Sequence, residues 1–74
     1  MFKSCNEYLD FKEAHTAGVN GYVIYPEGIG ITDLDEAKAV AAEQSTLAIN
    51  DFVSRIEDCA TEQVVAEFRD GVEL

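Results

Sequence analysis

The sequence predicts an α+β domain in the order helix, β-hairpin, helix, β-hairpin, with a small antiparallel sheet and the helices packed on one of its faces. Three observations lead there. Ser4 with Glu7 and Asp33 with Glu36 both have capping-box spacing, and each opens a stretch of helical periodicity. The run YVIYPEGIGI, Tyr22 to Ile31, is apolar and β-branched on both sides of Pro26, Glu27 and Gly28, the makeup of a hairpin. From Phe52 onward the apolar period falls to two, as in half-buried strands. The 74 residues make one domain, residues 1–74, with a thin margin, since a chain of this size buries only about 60% of its unfolded surface.

The first helix is expected from Cys5 to Thr16, with Tyr8, Leu9 and Phe11 at helical spacing and Gly18 and Gly21 ending it. In the hairpin, Pro26 presets φ for a type I turn and Gly28 can take the left-handed position of a three-residue loop. Thr32 or Asp33 caps the second helix, where Leu34, Ala37, Ala41, Gln44 and Ala48 recur every three or four residues and Val40 and Leu47 widen the stripe. Continued to Cys59, this helix would be roughly 40 Å long. That is awkward in a domain with a radius of gyration near about 12 Å, so its end is expected at Ile49 or Asn50.

Phe52, Ser54 and Ile56 then alternate with Val53, Arg55 and Glu57, and Val64, Ala66 and Phe68 with Val65, Glu67 and Arg69. These read as paired strands that end at the turn signal Asp70-Gly71. A helix over residues 61–70 competes, because Val64, Val65 and Phe68 also have helical spacing. The strand reading is preferred, since an isolated first hairpin would be marginal without partner strands.

Fifteen acidic side chains against five basic ones give a net charge of −10, which repels phosphate and disfavours direct binding to nucleic acid or an anionic membrane. Basic protein surfaces are the partners such a charge attracts. The charge is uneven: residues 33–74 hold eleven acids and three bases, residues 1–32 four and two. No apolar stretch approaches the roughly 20 residues of a membrane span, and no basic stretch followed by an apolar one opens the chain, so a cytoplasmic location is expected. In such a reducing compartment Cys5 and Cys59 read first as buried small hydrophobes, with a disulfide or reactive thiol as the alternative.

LDEAKAVA with Leu34, Ala37 and Ala41, RIED at Arg55 to Asp58, and QVVAEFRDG at Gln63 to Gly71 together resemble the helix-then-hairpin half of small phage and mobile-element proteins, some anti-CRISPR proteins among them. The likeness covers about the last 40 residues and rests mostly on packing positions. It implies a non-enzymatic protein that sits on a host defence nuclease or RNA-guided complex and blocks nucleic-acid access, with acidic members imitating the charge of DNA. It carries over no binding residue.

The residues themselves offer no catalytic constellation. His15 is the single histidine and reads as a helix-end residue, favoured there by the helix dipole. One histidine and two distant thiols do not make a zinc spacing, Gly28 and Gly30 lack a nearby lysine for phosphate, and Asp33, Asp35 and Glu36 serve a helix start rather than a calcium loop. No metal or cofactor is expected. Cys5 lies ten residues from His15, about 15 Å by helical rise, which argues against a thiol–imidazole pair and an enzyme.

Two surfaces remain as binding candidates. Exposed carboxylates on the second helix, Asp35, Glu36 and Glu43, and toward the sheet end, Glu57, Asp58, Glu62, Glu67, Asp70 and Glu73, can present phosphate-like charge to a basic groove. Solubility alone explains the same charge. The second is the outer face of the sheet, where at least one of Tyr22 and Tyr25 should stay exposed beside Val53 and Val65 and a rim of Arg55, Glu67 and Arg69. A homodimer would bury that face.

The leading expectation is an inhibitor that occupies the nucleic-acid-binding site of a basic host protein through its acidic surface. The alternative is an accessory protein that self-associates or docks on a larger assembly through the sheet.

Overall fold

The computed structural model describes residues 13, 16 and 20–74. The first expected helix, with Cys5 and His15, lies outside the described residues except at Glu13 and Thr16. The rest is α+β. β1 (Tyr22–Tyr25), β2 (Ile29–Ile31), α1 (Leu34–Gln44), a 3₁₀ turn (Ala48–Asn50), β3 (Val53–Asp58), β4 (Val64–Arg69) and β5 (Val72–Glu73) follow in that order. The strands form one antiparallel sheet ordered β2-β1-β3-β4-β5, with α1 against β1, β3 and β4.

The first hairpin forms where the sequence places it: Tyr22 pairs with Ile31 and Ile24 with Ile29, and Gly28 has φ of 80°. The Tyr25–Pro26 peptide in this turn is cis, and the Gly28 amide donates to the Ile24 carbonyl at 2.7 Å. Residues 64–69 are strand, which settles the competition with a helix there. A bulge between Ile56 and Glu57 shifts the β3–β4 register.

α1 starts as read, with the Asp33 side chain accepting from the Glu36 amide at 2.9 Å. It stops at Gln44, five or six residues earlier than expected. The cause is Ser45-Thr46. The Ser45 hydroxyl donates to the Ala42 carbonyl and the Thr46 hydroxyl to the Glu43 carbonyl, both at 2.7 Å, which competes with the next helical bonds. Ser45 Oγ also accepts the Gly71 amide at 2.7 Å, fixing the helix end to the last turn of the sheet.

A fifth strand is the second departure. Asp70 and Gly71 take φ of 49° and 85°, so the turn read as the end of the sheet reverses the chain instead, and Val72 and Glu73 return to pair with Arg69 and Phe68.

The core lies between α1 and one sheet face and contains Ile24, Ala37, Ala41, Ile56, Ala66 and Phe68, with Tyr22, Ile29, Ile31 and Val40 at its margin. The two buried alanines let the helix approach closely. Buried Ser54 uses that approach, its hydroxyl donating to the Ala41 carbonyl at 2.6 Å. Among the described residues no helix is long and apolar enough to cross a membrane.

Candidate functional site

The strand alternation divides the side chains in a defined way. Tyr22, Ile24, Ser54, Ile56, Ala66 and Phe68 face α1, while Tyr25, Val53, Arg55, Glu57, Glu67 and Arg69 lie on the other face. Of the two expected outer tyrosines, Tyr22 therefore packs at the core margin and Tyr25 alone is on the outer face. Val23 also belongs to that face by alternation, yet it is only 5% exposed, so the open part of the face is the β3–β5 side. Val65, the unpaired residue at the bulge, is exposed.

On this face the Arg55 guanidinium lies 4.5 Å from the centroid of the Tyr25 ring, and its Nε donates to Glu57 at 2.7 Å. Burial, and then the Glu57 carboxylate, raise the pKa of the Tyr25 phenol above its usual value of 10.0, with Arg55 opposing. An open groove of about 500 Å³ runs beside these groups, lined by Tyr25, Pro26, Val53, Arg55, Glu67 and Arg69 among others.

The nine carboxylates expected to present charge together fall into separate groups, with Asp70 in the β4–β5 turn and Glu73 in β5, paired with Lys38. Asp35 and Glu36 are exposed in the first turn of α1, whereas Glu43 is in its last turn, about 10–12 Å further along the axis. Asp58 is the last residue of β3 and Glu62 lies in the β3–β4 connection, at the end of the sheet where α1 begins. Asp58 is occupied there, its Oδ1 accepting from the amides of Ala60 and, more weakly, Thr61. Glu57 is bound to Arg55, and Glu67 stands opposite Arg55 on the outer face.

The surface that the sequence reading missed lies at the other end of the sheet. The apolar spacing places Leu47 on the helix stripe and Phe52 on the Ser54 and Ile56 side of a strand. With α1 ending at Gln44 and β3 beginning at Val53, both belong instead to a tight connection. There Leu47, Ile49 and Phe52 are 40%, 88% and 45% exposed.

This knuckle is held by its own backbone. The Asn50 and Phe52 amides both donate to the Leu47 carbonyl, and the Asp51 amide to that of Ala48. The Asn50 side chain donates to the Gln44 carbonyl at 3.0 Å and to the Glu27 carboxylate. Asp51 and Phe52 both have positive φ, 55° and 61°, the second a rare conformation for an aromatic residue.

Acidic residues adjoin it: Asp51 is part of it, the Glu27 carboxylate accepts from Asn50, and the Asp70 amide donates to the Phe52 carbonyl at 3.0 Å. The sequence carried one signal for this, a cluster of large apolar residues in LAINDF directly after the Ser-Thr helix stop.

Cys59 is fully buried, as expected, but disulfide-bonded rather than free. Of the two readings of this cysteine, the buried small hydrophobe and the disulfide, the bond follows the second. Among the described residues no group of three or more His, Cys, Asp or Glu side chains is placed to hold a metal ion. No family model matches the chain, and neither a curated protein nor a solved structure matches it significantly.

Proposed function

We propose that this chain is a non-enzymatic binding protein that docks on another protein through the Leu47–Phe52 knuckle. The observation that carries the reading is three large apolar side chains exposed on a turn with two consecutive left-handed residues, Asp51 and Phe52. An exposed aromatic in such a conformation costs stability where it stands, and backbone of this kind clusters at ligand clamps and binding loops. An apolar centre with a charged rim is also the anatomy of interface hot spots.

The rim sets the partner class. Asp51 lies within the knuckle, the Glu27 carboxylate accepts from its Asn50 and Asp70 is tied to it through the backbone, in a domain of net charge −10, which favours a basic surface with an apolar recess. A protein that binds nucleic acid has such a surface. Occupying it blocks the nucleic acid, so the domain acts as an inhibitor of the anti-CRISPR kind, with Asp35, Glu36 and Glu62 supplying longer-range attraction from the opposite end.

Affinity capture on the immobilised domain, repeated at low and high salt with wild type and Ile49→Ser, tests this. Expected is a nucleic-acid-binding protein retained by wild type at low salt, displaced by salt or competing DNA or RNA, and lost with Ile49→Ser. Retention that ignores both salt and the substitution would overturn the reading.

A further inference from the structure

We infer that the open half of the outer sheet face, strands β3 to β5, is the contact surface for a second copy of this chain, in a two-fold dimer where Glu67 of each protomer pairs with Arg69 of the other. The argument starts from which charges the fold leaves unused. Among the described cations, Lys38 pairs with Glu73 at 3.6 Å and Arg55 is taken by Glu57 and Tyr25. Arg69 has no ion-pair partner among the described residues, in a domain with a threefold excess of acids. Glu67 has none either, although it stands directly across from Arg55.

These two unused charges have opposite sign and lie two residues apart on the same face of one strand, about 6.5–7 Å along it. A two-fold axis lying in the gap between the two facing sheets, parallel to their faces and perpendicular to β4 midway between the two residues, sets β4 antiparallel to its copy, and each carboxylate then faces the other protomer's guanidinium. The contact is isologous, so both pairs form from a single surface. Any other partner would need the reverse charge pattern at the same spacing, whereas a second copy has it by construction. Facing sheets stand about 10 Å apart, a gap that a glutamate and an arginine side chain reaching toward each other can span.

Apolar area surrounds the pairs. Val53 and Val72 sit opposite Arg69 on its two neighbouring strands, Val72 is 65% exposed, and the groove beside Tyr25 offers volume for a side chain of the partner. Burial of Val23 confines the contact to the β3–β5 side. Asn50 and Asp51 of the knuckle line the same groove, so the two surfaces adjoin, but substitution of Ile49 tests one and charge reversal at 67 and 69 the other.

Charge reversal tests it. Sedimentation equilibrium of wild type, Glu67→Arg, Arg69→Glu and the double variant Glu67→Arg/Arg69→Glu is measured over a concentration series, with circular dichroism to confirm folding. Wild type should dimerise, each single reversal should weaken the dimer by about tenfold or more, and the double reversal should restore it. The two single variants should also associate with each other on mixing, because arginines at 67 and 69 then face glutamates. Both sites are exposed, so folding should survive; should one single variant unfold, the double variant alone decides. A monomeric wild type, a dimer indifferent to the single reversals, or a double reversal as weak as the singles overturns the proposal.

Discussion

Replacing Phe52 by glycine and, separately, by alanine isolates the backbone strain of the knuckle. Both substitutions remove a ring that is 45% exposed, so nearly the same packing is lost in each. They differ in what φ of 61° costs. A non-glycine residue in the left-handed region costs about 1–2 kcal/mol, while glycine costs about 0.5–1 kcal/mol through the greater entropy of the unfolded chain. The glycine variant should therefore be the more stable of the two by about 0.5–1 kcal/mol, the reverse of the order expected in ordinary backbone. For a domain of this size that is about 2–8 °C in melting temperature, followed by circular dichroism. An alanine variant that melts at or above the glycine variant would refute the claim that this turn stores strain.

Three further outcomes are expected. Ser45→Ala removes the acceptor of the Gly71 amide and should cost about 1–3 kcal/mol in urea unfolding, with faster hydrogen exchange at Gly71; an unchanged midpoint would remove the link between the helix end and β5. The neutral Tyr25 phenol is favoured in the fold, so its contribution holds below pH 10.0 and is lost as pH rises through the raised pKa. Glu57→Gln should lower the titration midpoint of Tyr25 and Arg55→Gln raise it, read from ring-carbon NMR shifts, and the opposite signs would contradict the assigned causes. Reductant should cost about 2–4 kcal/mol of stability by opening the Cys59 disulfide, and alkylation of Cys59 in unreduced protein would show that the bond is absent.

The parts of the fold that the sequence made legible are those governed by local chemistry. The Asp33 cap, the left-handed Gly28 and the alternation of Ser54 and Ile56 against Val53 and Arg55 each depend on a few neighbouring residues, and each stands as read. The helix end was misplaced because the apolar stripe continues through Leu47 and Ala48, whereas the Ser45-Thr46 hydroxyls decide the matter through bonds that periodicity does not register. β5 was missed because Asp70-Gly71 has the same signature whether it ends a sheet or turns a hairpin, and only two paired residues follow it.

The carboxylates were legible in number but not in place. Asp35 and Glu43 share one helix yet lie at its opposite ends, and Glu57 is spent on Arg55. The knuckle escaped for the same reason as the helix end. Once α1 is read through residue 49, Leu47 is assigned to the core.

The most direct test is hydrogen exchange of the domain, free and bound to the protein it captures, followed amide by amide. Docking through the knuckle should slow exchange at the amides from Leu47 to Phe52 and at Asp70, and leave the β1–β2 hairpin unchanged. Protection confined to the first turn of α1 and the β3–β4 connection, with Leu47 to Phe52 exchanging as in the free domain, would contradict it.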